Sequence, residues 1–396
     1  MRVQEIKSVL TKYGATDNPS DYRTVKAKEI FVDHYMQPLL EGKEIENGVK
    51  ARVPADKWSL RALWEALVGP IDETLPINRY FEKNYREFSI NSTMFPKATG
   101  NLILNKVIEG YNMPGFIGSQ LVENMPSNLK SETIVGFTDL QGVKEVGEGE
   151  EYEESSIGEK YVTTDSMKKG RLISLTDETI RFDKTGQILR RAQQLGEKAG
   201  IDKELRVLKG VTGVDANVYK PFGTAATLYA HATHKNLNDS NALKDWESID
   251  NALQYHATNV RDDRQGETPD PILWMPDTIL CGPELVTTAR RIVGATEIRK
   301  APNGEDNVTI SANPFSGFKV LSSTLWTGLG LTTGDWFIGD FMRQFVWHEV
   351  YPIQTFAQGA TSESAFDRDI VARFKVRYYG GVAAIDHRYV IKNTVS

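Results

Sequence analysis

Residues Phe137–Asp183 read FTDLQGVKEVGEGEEYEESSIGEKYVTTDSMKKGRLISLTDETIRFD, and Lys184–Gly210 follow as KTGQILRRAQQLGEKAGIDKELRVLKG. Six of the ten residues from Glu145 to Glu154 are glutamate. Charge at that density cannot form a buried core strand, because unpaired buried charge is too costly. Lys160, Lys168, Lys169 and Arg171 make the return limb more basic. Strand-forming residues Tyr161–Thr164, Leu172, Ile173 and Leu175 lie on that limb, and Gly147, Gly149 and Gly158 break it. The pattern predicts one long hairpin over about 135–180, projecting from its own core and covered by a second subunit. A solvated acidic loop is the plainer alternative for such a charge run.

The next run predicts a helix from Gly186 to Lys209. Apolar Ile188, Ala192, Leu195, Ala199, Leu205 and Leu208 recur mostly at three- or four-residue spacing. Asp183 or Thr185 can cap its start and Gly210 its end. Such a rod is roughly 36 Å long, enough to span a domain.

The chain has 396 residues, 40% apolar and 25% charged, an ordinary globular composition with material for a sizeable core. Its net charge of -6 argues against a basic nucleic-acid-gripping surface. The single cysteine, Cys281, rules out an intramolecular disulfide framework, fits a reducing compartment and reads as a buried, inert thiol. Met1–Gly14 is a short charged helix pattern rather than an export signal, and no apolar run is long enough for a membrane span.

Before the hairpin, residues 1–134 read as helices joined by irregular segments. Asn18-Pro19 suggests a cap and first-turn proline for a helix ending near Gly42. Leu60, Leu63, Trp64, Leu67 and Val68 define a cleaner amphipathic helix stopped by Gly69-Pro70. Periodicity then weakens from Ile71 to Leu129, which suggests a segment wrapping over a partner. After the rod, residues 220–335 read as a mixed α/β unit. Its helix carries Trp246, Ile249, Leu253, Ala257 and Val260, and its strands are Thr278–Cys281 and Phe318–Leu321. Strands follow at Gln344–Val350 and Ile370–Tyr378; the second alternates apolar residues with Arg373, Lys375 and Arg377.

Signals for chemistry are sparse. His231 and His234 could share a helix face, but no acidic or cysteine partners stand at metal-site spacing. Neither a Gly-x-Ser-x-Gly elbow nor a phosphate loop occurs, and Gly328-Leu-Gly330-Leu-Thr-Thr-Gly334 reads as a turn. Asp367 and Asp369, beside Arg368, fit surface pairing better than acid–base work. No catalytic residue, metal ligand or cofactor-binding residue is assigned.

The order of elements resembles the major capsid proteins of tailed double-stranded DNA bacteriophages, the Hong Kong 97-type fold also used by encapsulins. The resemblance is carried by GVKEVGEGEEYEESSIGEKY (142–161), the Lys184–Gly210 rod, GDWFIGDFMRQFVWHEV (334–350) and SAFDRDIVARFKVRYYGGVAAIDHRYVIK (364–392), and covers about 130–396. It implies an α+β fold: an N-terminal arm and helical extension (1–134), an extended hairpin loop (135–180), a peripheral domain with a spine helix (181–220) and late strands (336–382), and an axial domain (221–335) to which 383–396 return. It implies a non-enzymatic subunit that assembles with itself through pentamers and hexamers into an icosahedral shell around DNA contacted non-specifically. Scaffold and portal proteins are expected partners, a decoration protein is left open, and no membrane is involved. The place is the virion, assembled in the host bacterial cytoplasm.

Intersubunit contacts are expected at Glu148, Glu150, Glu151, Glu153, Glu154, Lys168, Lys169 and Arg171 of the hairpin and at Arg190 and Arg191 of the rod. Residues 1–130 are longer than the family's usual arm. With Met1 kept, the expectation is a separate scaffold or retention of this segment. Lys144 and Lys160 are the hairpin lysines available for the covalent cross-link that some relatives form. An encapsulin compartment, or an α/β enzyme with its pocket in 220–335, are the alternatives.

Overall fold

The computed structural model describes residues 2–16, 21–45, 49–71, 85–137, 139, 146, 151, 159–263, 268–300, 309–359 and 369–395. Its contacts define two units. One comprises residues 1–114, 168–201 and 352–378, the other 115–167, 202–351 and 379–396. Helix and sheet are mixed throughout, as the α+β expectation requires.

The first unit is built on helices Val3–Lys12, Tyr22–Ile30, Leu60–Leu67 and Tyr85–Tyr111 and the first half of Thr185–Val211. Asp21 caps the second of these by accepting from the Arg23 N–H, and Ser59 caps the third by accepting from Ala62. The Asn18-Pro19 cap falls outside the described residues. Helix Tyr22–Ile30 runs into a π turn, Phe31–Met36, and a short helix, Gln37–Glu41, closed by Gly42 at φ 70°. The core gathers Ile6, Phe31, Met36, Trp58, Trp64, Phe95, Ile188, Leu189 and Phe374, with the Trp64 and Phe95 rings edge-to-face at 4.9 Å. Lys28 is buried and donates to the Leu67 carbonyl at 2.6 Å, satisfying one of that helix's orphan C-terminal acceptors.

Within the stretch from Ile71 to Leu129, expected to be an irregular wrapping segment, Tyr85–Tyr111 form instead a 27-residue helix. Pro96 and two glycines disguise it. Yet Phe95, Ala98, Leu102, Ile103 and Val107 are buried at helical spacing, and Thr99 donates to the Phe95 carbonyl. Gly110 and Gly196 let this helix meet the Thr185–Val211 helix backbone to backbone. A Cβ at Gly196 would lie 2.1 Å from the Val107 carbonyl oxygen, and one at Gly110 2.2 Å from that of Gln193.

The second unit centres on a five-stranded sheet, in the order Lys319–Ser322, Thr278–Cys281, Trp336–Gly339, Val390–Asn393, Leu237–Asn238. Strand Trp336–Gly339 runs antiparallel to both neighbours, and the outer pairs are parallel. Its two-residue period sorts the side chains. Ile279, Cys281, Trp336, Ile338 and Ile391 pack with Ile249 and Ala252 of helix Trp246–Asn259 and Ala289 and Ile292 of helix Val286–Gly294. On the opposite face Phe337 meets Tyr229 and Trp326. His231 and His234 lie in turns rather than on one helix face.

A further sheet has the order Glu123–Pro126, Phe345–Gly359, Ile370–Ala384, Met167–Thr176. Its two central strands are 15 residues long, so the first extends well past the expected Val350. Those strands, and helix Thr185–Val211, supply residues to both units.

Candidate functional site

The limbs of the expected hairpin begin as Ser131–Phe137 and Glu159–Asp165, paired antiparallel from Ser131↔Asp165 to Phe137↔Glu159. The return limb is not one ribbon. It breaks at Ser166, and Met167–Thr176 joins the four-stranded sheet as an edge strand. The break follows from burial. Val162, Thr164 and Ser166 are buried, and Ser166 Oγ meets Nδ1 of the fully buried His348 at 2.5 Å. His348 Nε2 lies 2.8 Å from the Glu132 carboxylate on the outgoing limb. Ser127 and His348 together hold that carboxyl below its usual range. Serine, histidine and glutamate in sequence suggest hydrolysis, but Ser166 is 2% exposed and His348 0%, which denies a substrate access to the hydroxyl. The three groups tie the hairpin root to strand Phe345–Gly359.

Residues 220–222 flank the return limb on its other side. Thr163 donates to the Lys220 carbonyl at 3.1 Å and Phe222 to that of Tyr161 at 3.0 Å. Lys220 also pairs with Asp165 and lowers its carboxyl. Phe222, at φ 53°, stands edge-on to the Tyr161 ring.

Where strand pairing ends, both limbs reach a cluster of charges. Arg388 grips Asp386 with two nitrogens, Nη2 at 2.6 Å and Nε at 3.1 Å. Its Nη1 bonds Asp139 of the outgoing limb and lies 3.4 Å from Asp263. Lys160 of the return limb donates to Asp263 at 2.6 Å and stands 3.7 Å from Asp386. The Asp139 N–H donates to Asp263 at 3.0 Å. The Arg388 side chain is only 6% exposed. Burial would raise the Asp263 carboxyl, but the Lys160 hydrogen bond and the Arg388 charge outweigh it and hold it at about 2. Asp386 is held down against its burial in the same way, chiefly by Arg388. Beside them His387 stacks on His234 at 4.1 Å and meets the Tyr219 hydroxyl at 3.2 Å. Burial pushes the imidazole of His387 down to about 3 and the Tyr219 phenol up to about 12.

Of the expected contact residues, Glu148, Glu150, Glu153 and Glu154 lie outside the described residues, as does Lys144; Glu151 is exposed. Lys168 and Arg171 are exposed on the edge strand, and Lys169 is half-buried there. They belong to the sheet, not to the hairpin. Arg190 and Arg191 are exposed on the long helix. Lys160 is spent on Asp263 and Asp386, which removes it as a free cross-linking amine. On strand Ile370–Ala384 the cations of Lys375 and Arg377 sit over the Phe356 ring at 5.0 and 4.3 Å. Asp367 is not described.

Sequence reasoning missed His348, Arg388, Asp263 and Glu204. Glu204 is 4% exposed on the long helix and accepts from the Ile117 and Gly118 N–H groups at 2.8 and 2.9 Å. Burial raises its carboxyl, and those two donors oppose the rise. Asp386-His387-Arg388, three polar residues inside an apolar closing run, was the one visible hint.

Among the described residues no group of three metal-ligating side chains occurs, and no helix is long and apolar enough to cross a membrane. A shallow groove of about 350 Å³ in the second unit is lined by Asn238, Asn241, Asn251, Gln254, Tyr255 and neutral neighbours. Amide side chains supply neither a nucleophile nor a strong base.

Residues 160–393 match the phage capsid protein family, and the chain belongs to that family. It is a capsid shell subunit: its role is structural, it associates with itself, and its place is the virion. No curated protein matches the chain. Similar solved structures include the capsid of a native GTA particle, 11% identical over 69% of this chain and 88% of the other, with a TM-score of 0.45. Others are from Mycobacterium phage Ogopogo (15% identical, 72% and 94% covered, TM-score 0.39) and a virus-like particle from Pyrococcus furiosus (11%, 74% and 96%, 0.37). Likenesses at this level add no weight to the assignment, which rests on the family match.

Proposed function

We propose that the chain is the major subunit of an icosahedral shell of pentamers and hexamers, with the Hong Kong 97-type division of labour, enclosing double-stranded DNA. The acidic run of the hairpin, with Glu148, Glu150, Glu151, Glu153 and Glu154, lies over a neighbouring subunit near its Arg190 and Arg191. Lys168, Lys169 and Arg171 make a second contact at the sheet edge. Exposed ion pairs contribute about 0–1 kcal/mol each, so the charge match sets register while apolar contacts supply most of the adhesion. Extended arms suit the repeated interfaces of a closed assembly. The observation that carries this reading is the hairpin root: both limbs are fixed by the subunit's own side chains, and the acidic run continues beyond them.

Scaffold and portal proteins take part in assembly in the host cytoplasm. The net charge of -6 suits a wall that contains DNA without gripping it. The protein has no catalytic role.

Negative-stain electron microscopy with sedimentation tests the proposal. Closed shells, or rings of five and six subunits, are expected, with nucleic acid rather than protein cargo inside the native particle. Protein cargo would favour an encapsulin compartment instead. A strictly monomeric or dimeric species, even when its scaffold is co-expressed, would refute the shell.

A further inference from the structure

We infer that Arg388 is a positioning residue that clamps both limbs of the hairpin at their root and sets the direction in which the arm leaves the subunit. The inference rests on the hairpin being an assembly arm. The geometry is specific. Asp139 follows the last paired residue of the outgoing limb, Phe137, by two positions, and Lys160 is next to the first paired residue of the return limb, Glu159. Lys160 stands opposite Gly136, and Asp139 lies just beyond the end of the pairing, so the two flank the point where the ribbon leaves its paired root. There Asp139 reaches Arg388 directly, and Lys160 reaches it through Asp263 and Asp386.

The fixed end of the clamp is rigid. Arg388 lies two residues before strand Val390–Asn393, whose Val390 and Ile391 are fully buried, and its own turn is held by Asp386 accepting from the His387 and Arg388 N–H groups. Asp263 comes from the segment after helix Trp246–Asn259. A two-stranded ribbon is marginally stable by itself, and the His348 contacts with Ser166 and Glu132 hold it only at its base. Holding both strands where the pairing ends, against a buried guanidinium, fixes the ribbon at its far end as well. The Arg388–Asp386 and Lys160–Asp263 pairs are mostly buried and so weakly screened by salt, whereas the Asp139 carboxylate, 42% exposed, is the more salt-sensitive end of the grip. Breaking such a pair from one side is costly, whereas a surface pair yields easily.

The test uses unassembled full-length subunits and a variant that removes both side-chain grips while leaving the Asp386–Arg388 pair intact: Asp139→Ala with Lys160→Met. Lys160→Arg serves as the conservative control. Amide hydrogen exchange in 131–137 and 159–165 is expected to rise about tenfold in the double variant, with strands 278–281 and 336–339 unchanged. Shell yield is expected to fall by a similar factor, and Lys160→Arg to keep both properties.

Unchanged exchange in the two limbs would overturn the clamp whatever happens to assembly. A rise shared by strands 278–281 and 336–339 would make the cluster a general stabiliser of the unit and would also overturn it. Loosened limbs with normal shell yield would leave the grip standing and instead sink the reading of the hairpin as an assembly arm.

Discussion

Replacing Gly196 by alanine should destabilise the subunit, although alanine is the better helix former by about 1 kcal/mol. The reason lies in the crossing of helices Tyr85–Tyr111 and Thr185–Val211. The new Cβ would stand 2.1 Å from the Val107 carbonyl oxygen and 3.0 Å from the Tyr111 nitrogen. Neither is the tip of a flexible side chain, so the axes must part by about 1 Å to restore contact, and a gap of that size forfeits up to half the dispersion energy of the atoms lining it. Val107, Leu189 and Ala192 are buried in that core and lose contacts together. Overpacking costs about 1–3 kcal/mol, and a backbone clash lies at the upper end. After the propensity gain the net loss is about 2 kcal/mol.

Gly186→Ala is the control in the same helix, because nothing lies within 4 Å of its Cβ. It should be neutral or stabilise by up to about 1 kcal/mol. Urea unfolding of unassembled subunits, followed by the fluorescence of the tryptophans, buried Trp58 and Trp64 among them, reads both variants. Gly110→Ala in combination with Gly196→Ala should cost less than the sum, since one separation relieves both clashes. A Gly196→Ala midpoint at or above that of the natural chain would refute close backbone contact at this crossing.

Three further outcomes are expected. Reversal of Glu150, Glu151 and Glu153 to Lys should impair assembly while leaving the subunit's unfolding midpoint within about 0.5 kcal/mol; normal shells from this variant would remove the hairpin from the interface. Glu204→Ala should cost about 2–4 kcal/mol, because it strands the buried Ile117 and Gly118 N–H groups; an unchanged urea midpoint would contradict the capping role. Stability should also fall on acidification. Burial holds His256 at about 4 against an ordinary 6.5, so the unfolded chain takes up a proton there that the native state refuses, and between those pH values the loss is on the order of 3 kcal/mol. His387, held at about 3, acts in the same direction, and below pH 4 the protonation of Asp263, held at about 2, continues the decline. Flat stability between pH 6.5 and 4.5 would show that these imidazoles are hydrated.

Elements that obey one period were readable in the sequence. Helix Thr185–Val211 differs from its expected ends by one residue at the start and two at the finish, and strand Ile370–Ala384 alternates through Phe374, Val376 and Tyr378 as its pattern requires. Legibility failed where tertiary contacts override local pattern. Pro96, Gly100 and Gly110 look like breakers until their surroundings are known; two of the three are where another backbone or side chain comes close. The break in the return limb is set by a histidine 182 residues away from Ser166. Glu204 reads as a solvated helix charge, because nothing local announces the two N–H groups that require it. The charge cluster draws Asp139, Lys160, Asp263, Asp386 and Arg388 from four separate stretches, so only the fold brings them together.

Each unit is assembled from three stretches of chain, and the polypeptide passes between units at 114/115, 167/168, 201/202, 351/352 and 378/379. Neither unit is therefore a cassette. No contiguous gene fragment encodes either one, so neither can be transplanted, deleted or expressed by simple truncation. A single protease cut also leaves every unit covalently tethered to the other through the remaining sequence on each side of the nick, except for what lies beyond the outermost junctions. The five-stranded sheet is just as scattered, since it draws its strands from 237–238, 278–281, 319–322, 336–339 and 390–393 and cannot close until residue 393 has been made.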